Sequence, residues 1–315
     1  RFRLDVVNIQ YQSAAYGLHP AINLLPHLVR EVPMVVTFHD LRPPYLFPKA
    51  GRLRDRAVLA LAQGARAVIV TNAQDRQRLV GQHGIRRFEM IPIGSNISAT
   101  LPRRYDRTVW RMRWNLPEEA LVLCYFGFLN ASKGGEDLVY ALRRLVDGGL
   151  DAWLLMIGGA AGASDPTNRV YLQHVRRAID TLHLADRVVW TGHLADEEVS
   201  ACFALADICV LPYRDGLSFR RGSLIAALVH GMPIISTYPD GGPDPALLPE
   251  VRHGENVWLV PPANPAALAE AVRRLAGDPE LRRRLGEGAR ALSKQFDWVN
   301  IAQRTLQLLN EVVHG

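Results

Sequence analysis

At 315 residues the chain is too long for one comfortable hydrophobic core and long enough for two domains. It is 48% hydrophobic and 22% charged, a globular balance that excludes extended disorder, and no apolar run reaches the roughly 18 residues of a membrane span. A formal charge of +6 leaves nucleic acid, anionic membranes and phosphorylated substrates as partner classes. The cations are scattered, with no basic stripe interleaved with aromatics and no nucleic-acid module, so nucleic acid is set aside. Cys124, Cys202 and Cys209 have neither metal nor CxxC spacing and are expected as buried, reduced thiols of a cytoplasmic protein.

Short apolar strands alternate with amphipathic segments from the start. Leu4–Gln10 is the first strand pattern, followed by a helical segment broken at Pro26. Strands follow at 33–40, 66–72 and 88–96, with helices over 52–65 and 73–84 and a proline-rich loop before the first of these helices. A polar, arginine-rich stretch with one short helix then separates a second series. Its strands are predicted at 121–127, 152–159, 187–192, 207–213, 233–238 and 257–262. Helices are predicted at 136–146, 168–184, 196–205 and 223–230, and three more close the chain. Asn264, Asp278 and Asp297 are good caps for those three, and Pro265 and Pro279 suit first helical positions. Strands too apolar to be half exposed, alternating with helices, imply parallel sheets covered on both faces. The expected fold is α/β, with two doubly wound Rossmann-like domains facing a cleft, where ligands bind beyond the carboxyl ends of strands. The expected boundaries are 1–100, 101–295 and a last helix, 296–315, crossing back to the first domain. Residue 1 is Arg and the strand pattern begins almost at once, so one or two first βα units are expected to be missing from the first domain.

The most informative stretch is Tyr213–Thr237. Ser218, Arg220, Arg221, Gly222 and Ser223 precede a helix with Leu224, Ile225 and Leu228 on one face, ended by Gly231 and Pro233. A helix start carries unpaired N–H groups and partial positive charge; two arginines and two hydroxyls there suit phosphate oxygens. A solvated basic turn ahead of a core helix is the alternative. Lys133, in "GFLNASKGG" between a strand and a helix, is a second cation of this kind. It is no P-loop, since Ser132 stands where that motif needs Gly.

The ordered set "YFGFLNASKGGEDLVYAL", "RVVWTGHLADEEVSACFALADICVLPY", "AALVHGMPIIST", "HGENVWLVPPANPAALAEAVRRLAGDPELRRRLGEGAR" and "FDWVNIAQR" resembles glycosyltransferase family 4, the retaining nucleotide-sugar glycosyltransferases with the GT-B fold. The resemblance covers nearly the whole chain and is strongest from Leu121 onward. It implies a hexosyltransferase of polysaccharide biosynthesis that moves a sugar from a nucleoside diphosphate to a glycan or lipid-linked acceptor. It implies retention, no metal and no cofactor beyond the donor substrate. Lys133, Ser218, Arg220, Arg221, Gly222 and Ser223 are the expected donor-binding residues. His39, at the end of the "TFHD" strand, is the expected catalytic-site residue, contributing orientation and not nucleophilic attack. Gln10, Tyr11, Gln12 and His19 form the expected acceptor-side loop. "GGAAGAS", from Gly158, fails the dinucleotide fingerprint and is expected as a loop near the nucleotide.

Three departures temper the resemblance. The family's usual pair of glutamates eight positions apart is replaced by Ser218 and Ala226, and a commonly basic position holds Phe128. Two alternatives therefore stand beside transfer: a non-catalytic GT-B relative that binds nucleotide or a partner protein, and a nucleotide-sugar epimerase. Peripheral contact with an anionic membrane at its inner face is a further expectation from the positive charge.

Overall fold

The computed structural model describes residues 4–17, 19–39, 41, 51–159, 166–239 and 250–315. The chain divides into two compact units, the first comprising Arg1–Gly94 with Gln295–Gly315 and the second Ser95–Lys294.

In the first unit, β1 (Val7–Tyr11), β2 (Met34–Phe38), β3 (Ala67–Val70) and β4 (Phe88–Met90) form a parallel sheet in chain order. Every residue of β2 and β3 is buried, as the unbroken apolar runs require of strands covered on both faces. Side chains alternate across the sheet. Val36, Phe38, Val68 and Val70 pack with Leu61 of α2 (Gly51–Gly64) and Leu79 of α3 (Ala73–Leu79). Val35, Ala67 and Ile69 point the other way, onto Ile301, Leu308 and Val312 of α11 (Trp298–His314). Those three α11 residues recur at helical spacing, so a single stripe of the helix covers that face. A short helix, α1 (Leu25–Leu28), begins before Pro26, which sits in its first turn where no backbone N–H is needed. Asn72 caps α3 by accepting from the Asp75 N–H at 2.9 Å.

The sequence placed some boundaries too generously. β1 begins only at Val7, β4 stops at Met90 and α3 at Leu79. Beyond α3, Gly81 and Gly84 take φ of 82° and 87°, left-handed values that cannot continue a helix.

The second unit is a six-stranded parallel sheet ordered β10-β9-β8-β5-β6-β7. Its strands are β5 (Leu121–Phe126), β6 (Ala152–Ile157), β7 (Val188–Trp190), β8 (Ile208–Leu211), β9 (Ile234–Thr237) and β10 (Trp258–Val260). Its helices are α4 (Arg107–Arg113), α5 (Gly135–Asp147), α6 (Pro166–Thr181), α7 (Asp196–Leu205), α8 (Gly222–Val229), α9 (Pro265–Ala276) and α10 (Pro279–Ser293). Asn264 and Asp278 cap α9 and α10 through their side-chain oxygens, with Pro265 and Pro279 in the first turns, and Asp297 caps α11. Cys124, Cys202 and Cys209 are free and buried. Arg111, only 2% exposed, is a fixed point of this unit. Its guanidinium donates to Asp207 at 2.8 Å and to the carbonyls of Leu205, Pro117, Glu118 and Ala120, while Asp207 also accepts from the Val122 N–H at 2.7 Å. Each polar group of this buried cluster thereby has a partner, and α4 is tied to the middle of the sheet.

Among the described residues, no helix is long and apolar enough to cross a membrane. The expected nucleotide-proximal loop after Gly159 and the proline-rich loop before α2 lie outside the described residues.

Candidate functional site

The strand order of the second unit reverses between β5 and β8. The chain runs from β5 outward through β6 to β7, then returns to β8 and runs the other way through β9 to β10. Loops leaving adjacent strands in opposite directions open a crevice at their carboxyl ends, where ligands bind in open α/β sheets. The loop after β5 carries Lys133; the loop after β8 carries residues 213–221 and leads into α8. The sequence stretches selected for their cations thus emerge side by side.

Two glycines set the position of Lys133. Gly134 has φ 67°, and a Cβ there would lie 1.9 Å from the Pro212 carbonyl oxygen. The turn after β5 therefore touches the main chain leaving β8, an approach only glycine permits. Gly127, with φ 114°, ends the β5 run, and a Cβ there would meet Lys133 Nζ at 3.3 Å and the Ser223 Cβ at 3.6 Å. The ammonium consequently folds back over the strand end, toward the start of α8.

Arg214 clamps the two loops. It donates to both carboxylate oxygens of Asp137, in the first turn of α5, at 2.8 and 3.0 Å, and its own N–H donates to the Ser132 carbonyl at 2.8 Å. Glu136 lies 3.6 Å from the same guanidinium. Arg221, the cap residue of α8, lies with its guanidinium 4.2 Å above the Tyr213 ring, pairs with Asp215 and reaches Ser132 Oγ at 3.4 Å. Its Nε is buried with no hydrogen-bond partner among the described residues. Tyr213 Oη and Ser223 Oγ share a hydrogen bond of 2.8 Å. Burial pushes the Tyr213 phenol far above its ordinary range.

The charges do not cancel. No carboxylate pairs with Lys133 among the described residues; burial, and then the neighbouring Arg221, lower its ammonium to about 8. A partly buried ammonium beside a guanidinium is an arrangement that a bound anion relieves. The first N–H groups of α8, at Gly222 and Ser223, precede the helix's own hydrogen bonds and add partial positive charge.

The structure thus brings Lys133, Arg221 and Ser223 together. Ser218 and Arg220 pair with each other instead: the Ser218 hydroxyl, in a residue only 5% exposed, accepts from the Arg220 N–H at 3.4 Å and from its Nε at 3.2 Å. Ala226 is buried within α8, so its methyl belongs to the core. Sequence reasoning missed Arg214, Asp137 and Tyr213, which position the cations. An acidic first turn of α5 and an arginine after β8 were the available signals.

In the first unit, His39 follows β2 and Gln10 lies on β1, at the carboxyl ends of neighbouring strands. His39 Nε2 donates to Gln10 Oε1 at 2.7 Å, Gln10 Nε2 donates to Thr37 Oγ1 at 3.4 Å, and Thr37 Oγ1 donates to Asn8 Oδ1 at 3.2 Å. The order of donors fixes the Gln10 amide and leaves His39 Nδ1 without a hydrogen bond among the described residues. Burial lowers the His39 pKa, favouring the neutral ring. Gln12 is exposed beyond the strand. One expected acceptor-side residue is corrected. Tyr11 is 3% exposed, with its ring edge-on to Phe38 at 5.3 Å, so it is a core residue of β1. His19 caps the turn at Pro20, its Nδ1 accepting from the Ala21 N–H at 3.2 Å, and stays exposed with Nε2–H left as a donor.

Two family models match, Glycosyl transferases group 1 over residues 106–292 and Glycosyl transferase 4-like domain over residues 1–94. The chain belongs to the group 1 glycosyl transferases. Its fold is the GT-B fold of that group. Sucrose-phosphate synthase from Thermosynechococcus elongatus superposes with a TM-score of 0.76 at 25% identity, over 98% of this chain and 73% of that one. Anabaena HepE in complex with UDP-glucose gives 0.77 at 20% identity, over 98% of this chain and 79% of that one, a likeness of fold. Among curated group 1 relatives, a GDP-mannose-dependent α-(1-6)-phosphatidylinositol monomannoside mannosyltransferase of Mycobacterium tuberculosis is 28% identical over 81% of this chain. A D-inositol 3-phosphate glycosyltransferase of Streptomyces bingchenggensis is 24% identical over 80% of it. The matches span 64% and 54% of those relatives' own lengths.

Proposed function

We propose that the protein transfers a sugar, with retention of anomeric configuration, from a nucleoside-diphosphate sugar to a hydroxyl of a glycan or lipid-linked acceptor. The observation that carries this reading is the uncompensated Lys133 ammonium beside Arg221 at the strand-order reversal. In this reading the diphosphate lies against Lys133, Arg221 and the first turn of α8. As the bond between the anomeric carbon and the diphosphate oxygen breaks, the cations meet the negative charge that develops on the leaving group. The acceptor oxygen bonds to the same face of the anomeric carbon, and its proton passes to the departing phosphate. Side-chain cations and backbone dipoles suffice for this charge, without a metal. His39, neutral and held by Gln10, offers Nδ1 as a hydrogen-bond acceptor for a sugar hydroxyl. The curated relatives suggest inositol- or mannose-containing acceptors as the first to try.

The test is calorimetric binding of UDP, GDP and ADP to the wild type and to Lys133→Ala, then release of nucleotide from matching sugar donors with chelator present. Binding that weakens about tenfold or more in the variant, and donor turnover that needs acceptor, support the proposal. Failure of all three nucleotides to bind refutes it.

A second reading, nucleotide binding without transfer, is favoured by Ala226 and Ser218. The first is buried in α8 and the second is turned to Arg220, so neither supplies the carboxylate that the family resemblance leads one to expect. Binding without turnover for any donor would select it.

A further inference from the structure

The net positive charge of this protein is confined to the first unit. Unit 1 carries 14 Lys and Arg against 8 Asp and Glu, whereas unit 2 carries 23 of each, so the net +6 belongs to unit 1 alone. The donor cations described above are in unit 2, so they do not account for that excess.

Part of it gathers at one place. A recess of about 640 Å³ lies at the amino-terminal edge of the unit 1 sheet, where β2 begins at Met34. Arg30 lines it from the loop after α1, Arg66 from the residue before β3, and Arg86 from the segment before β4. His27 of α1, Val312 of α11 and Gly315, the last residue of the sequence, also line it. Among the described residues, no carboxylate side chain is part of the lining. None of the three arginines pairs with a carboxylate among the described residues; Arg30 Nε donates only to the His27 carbonyl, at 3.1 Å. Glu89 and Glu311, on elements adjoining the recess, are both held by Arg87, and the exposed Glu31 lies outside the lining.

The recess is a built feature of the fold. A Cβ on Gly64 would lie 2.8 Å from His27 Nε2 and 2.9 Å from the Pro26 Cβ, so α1 is seated directly against the end of α2. His27 Nε2 donates to the Ala60 carbonyl at 2.8 Å, which fixes the ring and turns Nδ1 away from that bond. The five residues of β2 separate this edge from His39 at the opposite end of the strand, about 16 Å at the usual strand rise. It is therefore a different place from the His39 end of the same sheet.

We propose that this recess binds a multiply charged phosphate ester, as a second ligand site on the opposite edge of the unit 1 sheet. Its volume suits a small molecule, not a macromolecular face. Three guanidiniums with unengaged donors match phosphate oxygens in the bidentate geometry arginine favours. Val312 and Met34 supply an apolar floor for the carbon skeleton of the ester.

Inorganic tripolyphosphate is the probe, titrated calorimetrically at physiological salt into the wild type, Arg66→Gln/Arg86→Gln and Lys133→Ala. Saturable binding that falls at least tenfold in the arginine double variant and persists in Lys133→Ala supports the site. Amide hydrogen exchange should then slow in segments 27–33 and 310–315 of the wild type. Binding lost in Lys133→Ala but kept in the double variant would assign the anion to the donor cations and overturn the proposal. So would an absence of saturable binding in a double variant and wild type of equal thermal stability. Cosedimentation with phosphatidylcholine vesicles doped with phosphatidylglycerol distinguishes the source. Vesicle binding that needs Arg66 and Arg86, without binding of soluble tripolyphosphate, would replace the small molecule with a membrane surface.

Discussion

Lys133 should lower the stability of the unliganded protein, and its removal should raise it. The ammonium is partly buried and faces Arg221 with no carboxylate partner among the described residues, and its pKa falls from 10.5 to about 8. The unfolded chain therefore holds this proton more tightly than the folded one. That difference corresponds to about 3 kcal/mol of lost stability wherever both states are protonated, which is below about pH 8. The penalty shrinks as pH rises from about 8 to 10.5, where the folded amine is neutral and the unfolded one is still charged. Replacing Lys133 with Met keeps the length of the side chain and discards the charge. At pH 7, without nucleotide, Lys133→Met should be more stable than the wild type by up to about 3 kcal/mol in urea unfolding. At pH 9.5 most of that advantage should have gone. The same variant should bind nucleoside diphosphate more weakly, a trade of stability against binding expected where a site is held ready for an anion. A Lys133→Met protein equally stable or less stable at pH 7, with no pH-dependent gap, would show that the ammonium is solvated and would remove it from the site.

Three further outcomes follow from the geometry. Gly134→Ala must both adopt φ 67° and clear the Pro212 carbonyl, so it should cost at least about 3 kcal/mol and abolish nucleotide binding; a stable, binding-competent variant would refute the close approach. Arg214→Leu leaves Asp137, a residue 6% exposed, without its bidentate partner and should cost about 2–3 kcal/mol in chemical denaturation, with Asp137→Asn in the same chain recovering part of it. His39 is held neutral by burial, so its contribution to stability is fully present above pH 6.5 and is lost as pH falls through its lowered pKa. The stability gap between wild type and His39→Gln should therefore shift against the wild type as pH drops below 6.5; parallel profiles would mean an unperturbed ring.

What the sequence disclosed and what it hid divide along physical lines. Uniformly apolar β2 and β3 could be read at once, because a parallel strand covered on both faces has no polar side to obscure it. The caps at Asn264, Asp278 and Asp297 were equally plain, since capping is decided within four residues. Lys133 and Arg221 were selected as cations near helix starts, yet their adjacency depends on the strand order β8-β5, which no local pattern encodes. The clamp between Arg214 and Asp137 spans 77 positions and was invisible for the same reason. Tyr11 misled because a polar-tipped residue beside a loop looks alike whether its ring is free or buried against Phe38. The orphaned arginines around the recess also escaped notice, being scattered along the chain and gathered only by the fold.

The turn between β5 and α5 is placed by one stretch of peptide lying against another, with a bare Cα at 134 between them. A charge whose location is settled by main-chain packing is insulated from drift in the side chains around it. Surface residues of α5 and α6 are free to change without shifting the ammonium. Exchange at Gly134 or Gly127 alone should disturb it before any residue that carries charge is altered. A library that spares only those two glycines and Lys133 should therefore retain anion affinity far more often than one that spares the surrounding helices and randomises the glycines.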